Sequence, residues 1–327
     1  MPTTANSARV GSPASQPVIG PLAERDLPEA ERILRLAFGT FLGHPAPETF
    51  WSDRDYVYGR WRSPHVSALG ATLDGQLVGS NFATKWGSCG FFGPITVRAD
   101  LQAHGIAKAL LASTMDQFDA WGTRHSGLFT FAQSAKHVAL YQKFGFHARF
   151  LTAIMSAPAA RTQTMTGWSR YSALSDAERD EALRAGKDVT DTLYPGLDLS
   201  EEIRAVHAQD LGDTVLVQGA DGLAAFAVCH YGPRSEAGAG ACFIKFGAVG
   251  DTPSAEQDYL RLLDACEALA VAVGMPSLLA GVNLARHEAY QHLVARGFRT
   301  EIQGVAMHRR NDTGYCRPGL YIIDDWR

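Results

Sequence analysis

From Val18 onward the chain alternates between short apolar runs with a two-residue beat and longer stretches where apolar positions recur every three or four residues. The first is a strand pattern and the second a helix pattern. Val18 begins a strand, and Asp26-Leu27-Pro28-Glu29 starts a helix, with Asp26 placed to cap it, Pro28 in its first turn, and apolar Ile33, Leu34, Leu36 and Ala37 following. Phe50 to Trp61 is rich in aromatics but follows neither beat. Val66–Thr72 and Leu77–Thr84 flank Asp74-Gly75, the signature of a hairpin. Cys89–Val97 is a third strand run, and Pro94 inside it prevents pairing on both edges there. Gly105–Trp121, with Ile106, Leu110, Leu111, Met115 and Phe118 near helical spacing, is the best helix in the chain. Leu128–Phe131 reads as a short buried strand, His137–Phe144 as a helix closed by Gly145, and Arg149–Met155 as a last strand. Strands and helices alternating in this way predict an α/β unit.

The order then repeats. Helical stretches at 176–187 and 201–208 precede a hairpin of 214–217 and 224–229, a run at 241–249, a helix at 255–273, a strand at 278–282 and a helix at 286–296. The short helices that close on Gly145-Phe146 and Gly297-Phe298 lie 152 positions apart, which marks an internal duplication. Pro158 to Gly167 has no apolar period and is placed as the linker. The expected organisation is a flexible tail at 1–17, one domain at 18–157, the linker at 158–167, and a second domain at 168–327. A length of 327 residues suits two domains better than one.

Composition narrows the function classes. Thirty Lys and Arg against 34 Asp and Glu give a net charge of -4, without a basic run, so a nucleic-acid partner is not expected. No apolar run reaches the roughly 18 residues of a membrane span, and Met1–Pro17 lacks the apolar core of a signal peptide. The five cysteines (Cys89, Cys229, Cys242, Cys266, Cys316) are scattered and odd in number, and no His-x-x-x-His or Cys-x-x-Cys occurs. That pattern fits reduced thiols in a cytoplasmic protein and argues against a metal site or a disulfide framework.

The chemistry concentrates at the start of the best helix. Near Val97 a strand ends, a turn follows, and the helix opens on Gly105-Ile106-Ala107-Lys108. Backbone N–H groups at a helix start have no partner in the helix, and its dipole places partial positive charge there, so the arrangement suits phosphate. Small residues allow the backbone to approach it closely.

Gln102, Gly105 and Ala107 resemble the acyl-CoA signature Gln/Arg-x-x-Gly-x-Gly/Ala of the GCN5-related N-acetyltransferase (GNAT) superfamily. Ser134, Tyr141 and Gly145-Phe146 resemble the later family element of Asn, six residues, Tyr, and Gly-Phe, with Ser134 in place of Asn. The resemblance covers residues 18–156 well and the second half only in its order of elements. It implies tandem domains, each with a mixed, mostly antiparallel sheet whose middle strands splay apart and which helices flank. It implies acyl transfer from an acyl-CoA, usually acetyl-CoA, to an amine of a small molecule or peptide. Amides around Val97, Arg98 and Ala99 would hold the pantetheine arm and polarise the thioester, and those of Ala103, His104, Gly105, Ile106, Ala107 and Lys108 the pyrophosphate. Tyr141 would protonate the departing thiolate as general acid.

The resemblance also implies a base on the strand that here carries Phe91-Phe92, and no carboxylate is found there. His65, Asp53, Asp55, Asp324 and Asp325 stand as candidates, beside an amine that arrives neutral or a water chain. Trp51, Tyr56, Trp61 and Phe92 lie where an acceptor pocket would form, and plain packing explains them as well. Cys89 as a nucleophile would define another enzyme class, with no readable base beside it. In the second half Phe246–Ser254 lacks the phosphate signature, Asp251 brings negative charge, and Leu293 stands where Tyr would fall. A degenerate domain without cofactor is therefore expected. The rival class is a non-catalytic acyl-CoA binder or sensor. A monomer or homodimer fits either reading.

Overall fold

The structure, a computed structural model, describes residues 16–102, 104–160 and 166–326. Most of the N-terminal tail, Ala103 and the middle of the linker lie outside the described residues. The N-terminal half runs β1 (Val18–Pro21), α1 (Leu27–Phe41), α2 (Tyr58–Arg62), β2 (Val66–Leu73), β3 (Gln76–Trp86), β4 (Cys89–Phe92), β5 (Thr96–Val97), α3 (Ile106–Ala120), β6 (His125–Thr130), α4 (Ala135–Gln142) and β7 (Phe146–Pro158). The C-terminal half runs β8 (Trp168–Arg170), α5 (Asp176–Leu193), α6 (Ser200–Ala208), β9 (Gly212–Gly219), β10 (Gly222–Gly232), β11 (Gly238–Val249), α7 (Ala255–Ala272), β12 (Ser277–Asn283), α8 (His287–Ala295), β13 (Arg299–Arg309) and β14 (Ile322–Ile323).

Each half is a mixed, mostly antiparallel sheet flanked by helices, as the family resemblance implies. The β2–β3 hairpin turns on Asp74-Gly75. The third run is broken in two. Its first part, β4, pairs in parallel with β6 from Cys89↔His125 to Phe91↔Gly127, whereas β5 leaves β6 and pairs with β3. The break falls at Gly93-Pro94, where proline offers no N–H to a ladder. The aromatic stretch that followed neither beat is preceded by one turn of helix at Pro47–Thr49 and ends in the short α2.

The two sheets join edge to edge into one, in the order β1-β2-β3-β4-β6-β13-β7-β12-β11-β10-β9-β8. The join is an exchange. β7 pairs antiparallel with β12 of the other half, β13 pairs antiparallel with β6, and β7 and β13 pair with each other from Phe146↔Arg309 to Ser156↔Arg299. β7 and β13, the last long strands of their halves, therefore each complete the sheet of the other half. Linear segmentation does not reveal this, because the strand patterns are the same whichever partner they meet.

Apolar clusters fill both faces. One packs α7 and α8 on β9–β12, and another packs Leu111, Met115 and Phe118 of α3 and Tyr141 of α4 on Ala83, Phe92, Leu128 and, from the other half, Val305 and Met307. A buried ionic cluster crosses between the halves: Arg60 to Glu236 (2.7 Å), Lys245 to Glu236 (2.9 Å) and Glu202 (3.0 Å), and His65 to Glu202 (2.9 Å). All five cysteines are free and buried. Among the described residues, no helix is long and apolar enough to cross a membrane, and no group of three His, Cys, Asp or Glu is placed to hold a metal ion.

Candidate active site

Where β4 and β6 part, a cavity of about 750 Å³ opens between Phe92–Val97 on one side and Phe129–Phe131 on the other. The first turn of α3 and one face of α4 also line it. Pro94 thus marks the mouth of the gap.

Gly105 precedes α3 with φ +81°, a left-handed conformation that glycine adopts without strain, and a Cβ there would meet nothing within 4 Å. The first helical bond runs from the Ala109 N–H to the Gly105 carbonyl (3.0 Å), so the N–H groups of Ile106, Ala107 and Lys108 have no acceptor within the helix. Ile106 is buried and fixes this turn against the sheet, while Lys108 is exposed at its rim. Lys136 Nζ donates to Gln102 Oε1 (2.9 Å), and His104 Nδ1 lies 3.0 Å from the Gln102 carbonyl. These groups make a positively biased turn facing open space, which is the requirement for a phosphate. Of the three residues expected to bind the pantetheine arm, Val97 lines the cavity. Arg98 is turned away: its guanidinium holds Asp100 (2.6 Å), and its N–H is bonded to the Val78 carbonyl (2.9 Å). Ala99 starts a short turn and lines a shallow groove beside α1.

Tyr141 is buried on α4 with its ring against Phe92 (5.8 Å between centroids). Burial pushes its hydroxyl well above the usual phenol range, a shift the hydrogen bond with Thr130 opposes. The phenol therefore keeps its proton at neutral pH. Ser134 occupies the N-cap position of α4 and lines the cavity, though its side chain makes no capping bond. His137 lies one turn before Tyr141, on the same face of α4 and in the same wall. Burial holds its imidazole below the ordinary histidine value, so it is neutral at pH 7. The four-residue spacing from Tyr141 was the signal for His137 in the sequence.

Of the aromatics proposed for an acceptor pocket, Trp51, Tyr56 and Phe92 line the cavity and Trp61 does not. Trp61 donates its indole N–H to the Leu22 carbonyl (2.9 Å) and packs on the cluster around Leu22 and Leu27. Phe38, Phe41 and Phe131 stand in the wall instead, together with Trp326 from the end of the other half. The Trp326 ring lies against the β6 backbone, where a Cβ at residue 127 would come within 1.8 Å of it, so only glycine fits at Gly127.

None of the candidate bases reaches this cavity. His65 is bonded to Glu202 in the ionic cluster. Asp53 accepts the Ala239 N–H (3.0 Å), and Asp55 accepts the N–H groups of Val57, Tyr58 and Gly59 as the cap of α2. Asp324 is held by Arg286 (2.6 Å) and Tyr315 (2.5 Å), and the Asp325 carboxylate lies over Gly281. Among the described residues, no Asp or Glu lines the cavity. The Cys89 thiol is buried and pushed up to about 12 by that burial, which removes it as a nucleophile at neutral pH.

The equivalent gap of the second half is filled. β11 pairs with β12 only at Cys242–Ile244, and beyond that point β14 pairs with β11 at Gly247↔Ile323 and Ala248↔Ile322. The first turn of α7 carries Glu256 and Asp258, charges that oppose a phosphate.

Residues 30–146 match the family model described as the acetyltransferase (GNAT) family. A putative acetyltransferase from Pyrococcus horikoshii superposes with a TM-score of 0.67 at 13% identity, over 98% of this chain and 99% of that one. A GCN5-related N-acetyltransferase from Sphaerobacter thermophilus gives 0.56 at 11% identity, over 90% and 95% of the two chains. A tandem GNAT protein of the clavulanic acid biosynthesis pathway gives 0.55 at 12% identity, over 90% and 98%. At these identities the likeness is one of fold. A search of curated proteins found no match.

Proposed function

From a chain that belongs to the acetyltransferase (GNAT) family through residues 30–146 and takes the tandem form of that fold, we propose an acyl-CoA-dependent N-acyltransferase. Its reaction is direct transfer of an acetyl group from acetyl-CoA to an amine of a small molecule or peptide. One observation carries the reading: the phosphate-suited first turn of α3, the parted strands and the protonated Tyr141 meet in a single cavity. Amides of Ile106, Ala107 and Lys108 hold the pyrophosphate, with Lys136 and Gln102 beside them. The pantetheine arm lies along Ile95–Val97, in the gap between β4 and β6. The amine nitrogen attacks the thioester carbon, a C–N bond forms, the C–S bond breaks, Tyr141 donates its proton to the sulfur, and the proton released by the nitrogen restores the phenol.

A second reading, a non-catalytic acyl-CoA binder, draws on the absence of a lining carboxylate among the described residues. Measuring free thiol from acetyl-CoA across an amine panel separates the two: tight binding without acceptor-dependent release excludes the enzyme. We further propose that the second half binds no acyl-CoA, because β14 occupies its gap and α7 begins on acidic residues. Titration calorimetry is expected to give one acetyl-CoA per chain, and two would contradict this.

A further inference from the structure

The cavity wall carries an uninterrupted aromatic face. Phe41 meets Phe131 (5.0 Å), Phe131 meets Phe38 (6.4 Å), Phe38 stacks on Trp51 (5.9 Å) and Trp51 on Tyr56 (5.2 Å). Charge is one-sided. Lys108, Lys136 and Lys143 line the cavity without a carboxylate among the described residues, and the Arg60 guanidinium lies 5.4 Å over the Tyr56 ring. Arg60 cannot swing away freely, since Glu236 of the other half holds it at 2.7 and 3.0 Å.

Lys108 and Lys136 belong to the pyrophosphate end and Arg60 is paired with Glu236, so an ammonium entering this wall finds no carboxylate counter-ion among the described residues, and burial disfavours its charged form. An amine that is already uncharged meets no such barrier, and a planar one stacks on the face. Such an amine also removes the need for the missing base, because its lone pair is free before it binds.

A polar group waits in that face. Tyr56 is 5% exposed and lines the cavity, and no described group of the chain bonds to its hydroxyl. A buried hydroxyl without a partner is costly, so a native protein that keeps one needs a reason for it.

We propose that the acceptor is a weakly basic aromatic amine, an arylamine uncharged at neutral pH, packed against the aromatic wall beside Tyr56 and oriented by a hydrogen bond between its nitrogen and the Tyr56 hydroxyl. The proposal rests on the acyltransferase reading above and specifies its acceptor. The step balances without a further reagent: as the C–N bond forms and the C–S bond breaks, Tyr141 gives its proton to the sulfur and the proton lost by the nitrogen restores the phenol. The products are an N-aryl acetamide and free CoA.

The test measures acceptor-dependent release of thiol from acetyl-CoA by the full chain, with anilines and alkylamines in parallel and acetyl-CoA binding followed separately. Anilines are expected to exceed alkylamines in kcat/KM by at least about tenfold. Tyr56→Phe is expected to raise the aniline KM about tenfold, the loss of one hydrogen bond, with acetyl-CoA affinity unchanged. Trp51→Leu is expected to raise the same KM. Preference for alkylamines, or an aniline KM indifferent to Tyr56→Phe, overturns the proposal. Transfer to alkylamines from long-chain acyl-CoAs alone also overturns it, since the aromatic wall would then belong to the acyl chain. Failure to bind acetyl-CoA, or bound acetyl-CoA with no release by any amine, instead overturns the acyltransferase reading beneath it.

Discussion

In the proposed reaction Tyr141 gives up a proton that burial keeps on its phenol in the resting protein. Tyr141→Phe preserves the ring packed on Phe92 and removes only the acid, so kcat is expected to fall about 10²-fold or more with acetyl-CoA affinity intact. Steady-state kinetics beside calorimetry checks this, and an unchanged kcat removes the role. Gly105→Glu is expected to abolish acetyl-CoA binding, because it places a carboxylate at the phosphate turn and forces a side chain into the left-handed region, at a cost of about 1 kcal/mol. Retained affinity would contradict the placement. Gln102, Gly105, Ala107 and Tyr141 are legible in sequence because helix-start and helix-face patterns are local. The aromatic wall is legible only in part. Trp51 and Tyr56 were readable as a cluster, but Phe38 and Phe41 of α1, Phe131 and Trp326 join them through tertiary contact. Trp61, in the same cluster, is drawn to Leu22 instead.

The elements that shape the site are the broken strand and the exchanged one. β4 and β5 had to part for a cavity to exist, and Pro94 announced the break in the sequence. The exchange of β7 and β13 gave no such sign, because a strand pattern states which face is buried but not which edge it meets. Trp326 depends on this join, since it reaches over from the second half to rest on Gly127 of β6. Gly127→Ala is expected to force the ring outward and to cost about 1–3 kcal/mol, read as a lower Tm, with weaker acceptor kinetics. A Tm within error of the parent would show that the ring is not pinned there.

For the whole molecule, the two halves share one continuous sheet. Without the second half, β7 loses both neighbours and β6 loses β13, which bares strand edges that invite association. Residues 16–160 alone are therefore expected to be insoluble or aggregated, and a soluble monomer that binds acetyl-CoA would contradict the exchange. Stability should also depend on acid. Burial lowers His230 to about 4 and His308 to about 3, against 6.5 when exposed. Between pH 6.5 and 4 the unfolded chain thus binds more protons than the folded one, so stability falls as pH falls through that window. Each histidine contributes about 2 kcal/mol of loss by pH 5, expected as a Tm lower at pH 5 than at pH 7.5; a level Tm would contradict the buried neutral state. The second half, read from sequence as a scaffold that has lost its cofactor turn, here gives the site Trp326 and holds Arg60 beside Tyr56.

The proposed function requires that the cavity of the first half transfer an acyl group and not merely hold its carrier. Acceptor-dependent appearance of free thiol from acetyl-CoA, measured on the full chain, tells these apart. Release is expected to rise with amine concentration and to saturate. Acetyl-CoA bound tightly, with thiol release unmoved by any amine, would contradict it.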